Sequence, residues 1–227
     1  MKGLGGRFAW CLTVMACAGW VGAVQAQGPS SGRPTEASPK FVEQMATPAL
    51  LSQLRQGGYV LYMRHGTTDN SRSDLVPLGD FKDCSRQRVL DESGRRLAAR
   101  VGQYIRQAGI PVAEVLHSPL CRARDSAMLA FPDQPGGVRQ VDGLLYTANL
   151  TMAKKQPILQ TTRRWLSEPV ARGSNRVIVA HAPNMADLIG YFVRPEGTVV
   201  VIRPQGQGQF SYVASVPPTL WPTLLGP

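Results

Sequence analysis

Histidine is nearly absent from this chain: His65, His117 and His181 are the only three in 227 residues. No two of them sit at metal-ligand spacing, so the reading calls for no metal and no cofactor. Acidic residues are also scarce, 15 Asp and Glu against 25 Lys and Arg, which gives a net charge of +10. That imbalance points to anionic partners such as phosphates, nucleic acid or lipid headgroups without choosing among them. Aromatics make up 7% of the chain and do not interleave with basic clusters, so a nucleic-acid partner is not expected. The hydrophobic content of 43% excludes disorder, collagen and coiled coil.

Long apolar runs are confined to the N-terminus. Lys2 and Arg7 precede an apolar stretch, Phe8 to Gly22, that is short for a bilayer span, and Val24-Gln25-Ala26 resembles a cleavage site. Residues 1–26 therefore read as a signal peptide, residues 27–39 as a flexible Gly/Ser/Pro-rich leader, and residues 40–227 as the folded domain. The alternatives are a retained N-terminal anchor, or lipidation at Cys17 in Val14-Met15-Ala16-Cys17, where Met15 is a poor fit. The expected location is periplasmic or secreted, with no stable membrane span in the mature form. Of the four cysteines, Cys11 and Cys17 leave with the signal. Cys84 and Cys121 remain and are expected to form one disulfide in an oxidising compartment, against the alternative of two buried free thiols.

Strand and helix patterns alternate along the domain. Ala49–Gln56, Asp91–Ala108 and Leu159–Val170 read as helices, the second capped by Asp91 and stopped by Gly109. Ser118-Pro119 and Pro183 each open a further helix, with Ser118 as an N-cap. The apolar runs Tyr59–Met63, Val112–His117 and Val177–Ala180 read as buried parallel strands. Val199–Ile202 and Phe210–Ala214 read as a terminal pair. The fold class is α/β, a three-layer sandwich with a mostly parallel central sheet. Gly28-Pro29-Ser30-Ser31-Gly32 matches G-x-S-x-G in the leader, but with no strand before it and no helix after it the match is chance.

Basic residues collect at the three strand ends: Arg64-His65-Gly66, His117-Ser118 leading to Arg122, and His181. Ligands of open parallel sheets bind beyond such ends. Two arginines, two histidines and helix N-termini together suit a phosphate dianion. One imidazole can then attack in line while the other stabilises the transferring group. Gly66 is read as allowing close approach of the backbone to the ligand.

These residues resemble a known superfamily. Arg64-His65-Gly66-Thr67-Thr68 is similar to the RHG motif of the histidine phosphatases, Ser118-Pro119-Leu120-Cys121-Arg122-Ala123 to their second phosphate-binding motif, and His181-Ala182-Pro183-Asn184 to their second histidine motif. The resemblance spans about residues 58–215 and implies a phosphoglycerate-mutase-like fold. Asp83-Cys84-Ser85 to Leu90 and Arg203-Pro204 resemble an exported bacterial branch, similar in places to a lipopolysaccharide core heptose-phosphate phosphatase. The resemblance implies a phosphoric monoester hydrolase of histidine acid phosphatase type. His65 would be the nucleophile, Arg64, Arg122 and His181 would hold the phosphoryl group, and no metal would be needed. Its partner would be a small phosphorylated substrate or a lipopolysaccharide phosphate.

The general acid is less defined. Phytase-like members carry an Asp directly after the second histidine, where this chain has Ala182. Asp142 is the candidate, with a turn residue before Gly143 as the alternative, and Asp69, Asp187 and Glu168 are weaker ones. His65 is expected to titrate near the ordinary imidazole value of about 6.5. His117 is expected to neighbour the site or play no part, and Arg124 and Asp125 to form a local pair. Residues 67–88 and 144–156 are expected to build the pocket rim. A cysteine-based phosphatase is excluded, because the position six after each remaining cysteine holds Leu90 or Ala127 rather than Arg. The non-enzyme alternative is a phosphate-binding pseudoenzyme.

Overall fold

The computed structural model describes residues 40–77 and 79–226, so the expected signal peptide, leader and G-x-S-x-G match lie outside the described residues. Six strands form one sheet in the order β3-β2-β4-β1-β5-β6. Strands β1 (Val60–Arg64), β2 (Val112–His117), β3 (Val138–Gln140) and β4 (Asn175–Ala180) pair in parallel, while β5 (Val199–Gly206) runs antiparallel to both β1 and β6 (Gln209–Val216). The expected α/β sandwich with a mostly parallel sheet is the fold observed. β4 is buried at every position, which explains why Val177–Ala180 within it is a continuous apolar run rather than an alternating one.

The sheet separates two cores. On one face α1 (Pro48–Arg55), α2 (Glu92–Gln107), α3 (Cys121–Ala130) and the short α6 (Trp221–Leu225) cover Leu61, Met63, Val115 and Val179. On the other face α4 (Met152–Ser167) and α5 (Ala182–Ile189) cover Val60, Tyr62, Leu116 and Ile178. α2 forms as its sequence predicts: the Asp91 carboxylate accepts from the Gly94 N–H at 2.6 Å, Arg106 occupies the last turn, and Gly109 follows at φ 65°.

Several boundaries shift from the sequence reading, and three differences are substantial. α4 starts at Met152, seven residues before the predicted Leu159, and holds Pro157 in its interior. A proline there removes a backbone donor, which hides the first turns from pattern reading. The strand β3 was not predicted; with three residues it is too short for a period. α3 starts at Cys121 with Leu120 as its cap residue, so Ser118 is not an N-cap.

Topology sets the site. From β1 the chain passes through α2 on one face toward β2; from the adjacent β4 it passes through α5 on the other face toward β5. The connections diverge at the carboxyl ends of β1 and β4, which opens a crevice there.

The bridge Cys84–Cys121 is present, with Cα atoms 5.8 Å apart and 37 positions between them in sequence. Cys121 is the first residue of α3, so the bridge ties the segment before α2 to that helix. Gln87 reinforces the tie: its Oε1 accepts from the Cys121 N–H at 2.8 Å and its Nε2 donates to the Phe81 carbonyl at 2.8 Å. Replacing both cysteines with serine is expected to lower unfolding free energy by about 2–4 kcal/mol. Urea denaturation of the oxidised protein and the double variant measures this.

Candidate active site

The three basic strand ends meet. Arg64 closes β1, and the His65 N–H continues the strand pairing by donating to the Ala180 carbonyl at 3.1 Å. The Ser118 N–H donates to the Val179 carbonyl at 3.0 Å. Both segments are thus fastened to β4, which itself runs into His181. Tyr62, fully buried beneath them, donates its hydroxyl proton to the His181 carbonyl at 2.7 Å and accepts from the His181 N–H at 3.0 Å. The His65 and His181 rings end 5.3 Å apart between centroids, inclined at 63°.

Gly66 has a different role from the one expected. A Cβ built on it would lie 2.4 Å from the Gly94 carbonyl oxygen, and one built on Gly94 would lie 1.9 Å from that of Thr67. The first turn of α2 thus rests on the backbone just after His65, with no room for a methyl on either side. The Gly66 N–H donates to Ser126 Oγ at 2.9 Å, and that hydroxyl donates to the Arg122 carbonyl at 2.7 Å. The first two motifs are thereby joined through α3.

The two histidines are held by different groups. His65 Nδ1 lies 2.8 Å from the Gly66 carbonyl, which can only accept, so Nδ1 carries the proton and Nε2 keeps its lone pair. His181 Nε2 lies 2.7 Å from Ser118 Oγ, a hydroxyl that also accepts from the Leu120 N–H at 3.4 Å. His181 Nδ1 is buried and without a partner. His65 thus offers an acceptor or nucleophile at Nε2.

Two arginines flank them with spare donors. Arg122 is 0% exposed. Its Nη1 donates to Asp74 Oδ1 at 3.0 Å and to the Arg88 carbonyl at 3.3 Å, while Nε and Nη2 have no partner. Arg64 donates through Nη1 to the Val193 carbonyl at 2.7 Å and pairs through Nη2 with Glu196, and its Nε is free. Burial, opposed by Asp74 and Glu196, lowers the pKa of both guanidinium groups. Tyr146 closes one side. The Arg122 guanidinium carbon lies 5.3 Å from its ring centroid, and its ring meets that of His181 edge-on at 5.4 Å.

The expectation that His65 titrates near 6.5 is overturned. Burial, then the nearby Arg122, pushes it down to about 3, and His181 is likewise pushed well below the ordinary value by burial and Arg122. Both are neutral at neutral pH. His117 is not part of the cluster. Its Nδ1 bonds the Ser118 carbonyl at 2.8 Å, and the charges that act on it are Arg124 and Asp125. Those two form the expected local pair at 2.9 Å.

Asp142 does not join the cluster either. It is exposed, and its carboxylate accepts from Gln140 Nε2 at 2.7 Å. Asp69 holds Ser71, Asp187 pairs with Lys155 at 2.9 Å and Glu168 with Arg164 at 3.6 Å. The carboxylates that touch the cluster are Asp74 and Glu196, on Arg122 and Arg64. Asp74, Tyr146 and Ser118 were missed by residue reasoning. Asp74 and Tyr146 lie in the rim segments 67–88 and 144–156, where position alone was the signal. Ser118 was read as a cap and as part of the second motif, not as the partner of His181.

The family description of the histidine phosphatase superfamily (branch 1) matches residues 60–145. That segment holds Arg64, His65 and Arg122 and stops before His181. The solved structure of the protein histidine phosphatase SixA complexed with tungstate is similar, with a TM-score of 0.50, 15% identity, and coverage of 71% of this chain and 97% of that one. A phosphoserine phosphatase from Entamoeba histolytica gives a TM-score of 0.46 at 14% identity, covering 69% of this chain and 95% of that one. A search of curated proteins finds no match.

The shifted histidines make stability pH-dependent. Unfolded histidine binds its proton near pH 6.5, whereas folded His65 does so near 3, so between these values the unfolded chain holds more protons. Stability therefore falls as pH drops through that window. Exposed carboxylates such as Asp69, with pKa values lowered from 3.8, add to the fall from the acid end of that window downward. Urea midpoints are expected to fall steadily from pH 7 to pH 4, with a shallower fall in His65→Asn.

Proposed function

We propose that this chain is a member of the histidine phosphatase superfamily and a phosphomonoesterase working through a phosphohistidine on His65. The observation that carries the reading is Arg122, fully buried with two unpartnered nitrogens beside two neutral histidines. A buried cation with idle donors is costly unless an anion completes it. A phosphoryl dianion can accept from Arg122 Nε and Nη2 and from Arg64 Nε.

The chemistry follows from the His65 tautomer. The His65 Nε2 lone pair attacks phosphorus, an N–P bond forms, and the bond to the ester oxygen breaks with its electrons leaving on that oxygen. Arg64 and Arg122, with His181 beside them, stabilise the equatorial oxygens as charge shifts. Water then attacks phosphorus, the N–P electrons return to Nε2, and phosphate leaves. Low basicity at His65 keeps the nucleophile unprotonated in acid, in keeping with a histidine acid phosphatase-type enzyme.

Export belongs to the same reading. The Cys84–Cys121 bridge beside the site suits an oxidising compartment such as the periplasm. The substrate class we favour is a cell-envelope or sugar phosphate, including lipopolysaccharide phosphates, on the motif resemblance to the heptose-phosphate branch.

His65→Ala is expected to lose p-nitrophenyl phosphate turnover by orders of magnitude while keeping its circular dichroism. Acid-labile, base-stable phosphate should appear on the wild-type protein at His65 during turnover. Arg122→Lys is expected to lose about 10²–10³-fold in kcat. Retained activity in His65→Ala would overturn the phosphohistidine. Phosphate binding by the wild type without any turnover would identify a pseudoenzyme instead.

A further inference from the structure

Departure of an alkyl phosphate's leaving group requires a proton, because an alkoxide is a strong base. The carboxylates that touch the cluster are both engaged: Asp74 by Arg122 and Glu196 by Arg64. Asp142 faces solvent with Gln140. Tyr146 is a protic side chain beside the cluster. Its ring lies against the Arg122 guanidinium at 5.3 Å and the His181 ring at 5.4 Å, the two groups that border the phosphoryl position. Its hydroxyl makes no hydrogen bond among the described residues, and it is half-buried, so one side remains open to an entering ester.

The segment that delivers Tyr146 is rigidly placed. Asp142–Leu144 form a 3-10 turn whose Val141 N–H donates to the His117 carbonyl at 2.9 Å. Gly143 sits so close to Thr161 that a Cβ there would lie 2.5 Å from its methyl. Leu144 is fully buried, and the Leu145 carbonyl accepts from Asn184 Nδ2 at 2.9 Å, two residues after the N-terminus of the helix that follows His181. The turn thus directs Asp142 outward and brings the residue four positions later onto Arg122.

We propose that Tyr146 is the catalytic acid of this site, donating its phenolic proton to the departing ester oxygen; this rests on the phosphohistidine reading above. As the P–O bond breaks, the phenol O–H bond transfers its proton to the leaving oxygen and an alcohol departs. The phenolate that forms is stabilised by Arg122, over its ring, and by Arg64. The same phenolate accepts a proton from the water that attacks the phosphohistidine, so the phenol is restored as Nε2 regains its electron pair. A phenol is a stronger acid than the alcohol it protonates.

Single-turnover measurements with two esters test this. Tyr146→Phe keeps the ring against Arg122 and His181 and removes only the proton. It is expected to slow phosphoenzyme formation from glycerol phosphate by about 10²–10⁴-fold. Formation from p-nitrophenyl phosphate, whose leaving group departs unprotonated, should change little. Asp142→Asn should leave all these rates unchanged. Equal slowing of formation from both esters in Tyr146→Phe, or no slowing from either, would overturn the assignment. So would loss confined to glycerol phosphate in Asp142→Asn. Absence of phosphohistidine on the wild type with either ester would overturn the phosphohistidine reading and this one together, an outcome distinct from phosphohistidine without leaving-group discrimination.

Discussion

A fully buried arginine with two idle nitrogens organises this molecule. Removing a guanidinium from water costs several kcal/mol even after relaxation, and Arg122 recovers only part of that through Asp74 and the Arg88 carbonyl. The surroundings bear the constraint. The disulfide at Cys121 anchors the start of the helix, Gln87 takes up the Cys121 N–H, and Ser126 links the Arg122 carbonyl to Gly66. The charge is held still, with two of its nitrogens left without a partner.

That same charge sets the protonation of the histidines. Placing Arg122 and Arg64 beside two buried imidazoles keeps both rings neutral. Neutrality alone would leave each ring a choice of tautomer. The Gly66 carbonyl removes that choice for His65, while His181 Nε2 meets the Ser118 hydroxyl instead. The two rings thus differ in what holds each of them, although the side chains are chemically identical.

The fold supplies the convergence. β1 and β4 are neighbours whose chains leave in opposite directions, so residues 116 positions apart end in ring contact. The crowding of Gly66 against Gly94 shows how closely α2 must approach for this to work. A methyl at either position would push the helix away from the backbone that carries His65.

Much of this was legible in the sequence. The parallel strands announce themselves as unbroken apolar runs, because a strand buried on both faces has no reason to alternate. Arg64, His65, Arg122 and His181 stand out because cationic residues recur at the ends of such runs. Cys84 and Cys121 are a pair by count. What the sequence could not convey is which way a side chain faces in a short irregular turn. Asp142 and Tyr146 are four residues apart in one such segment, and a 3-10 turn with three residues has no period from which facing could be read. The choice between them was made by Gly143 against Thr161 and by Asn184 on the Leu145 carbonyl, contacts between segments distant in the chain. The shifted acidity of His65 belongs to the same class. An imidazole's ordinary pKa is a property of the residue, but its burial and its distance from a guanidinium exist only once the strands have paired. Residue types and their periodicity determined the layers and the reactive groups; the protonation states and the facing of the rim were decided by tertiary packing, because both depend on what each group touches rather than on what it is.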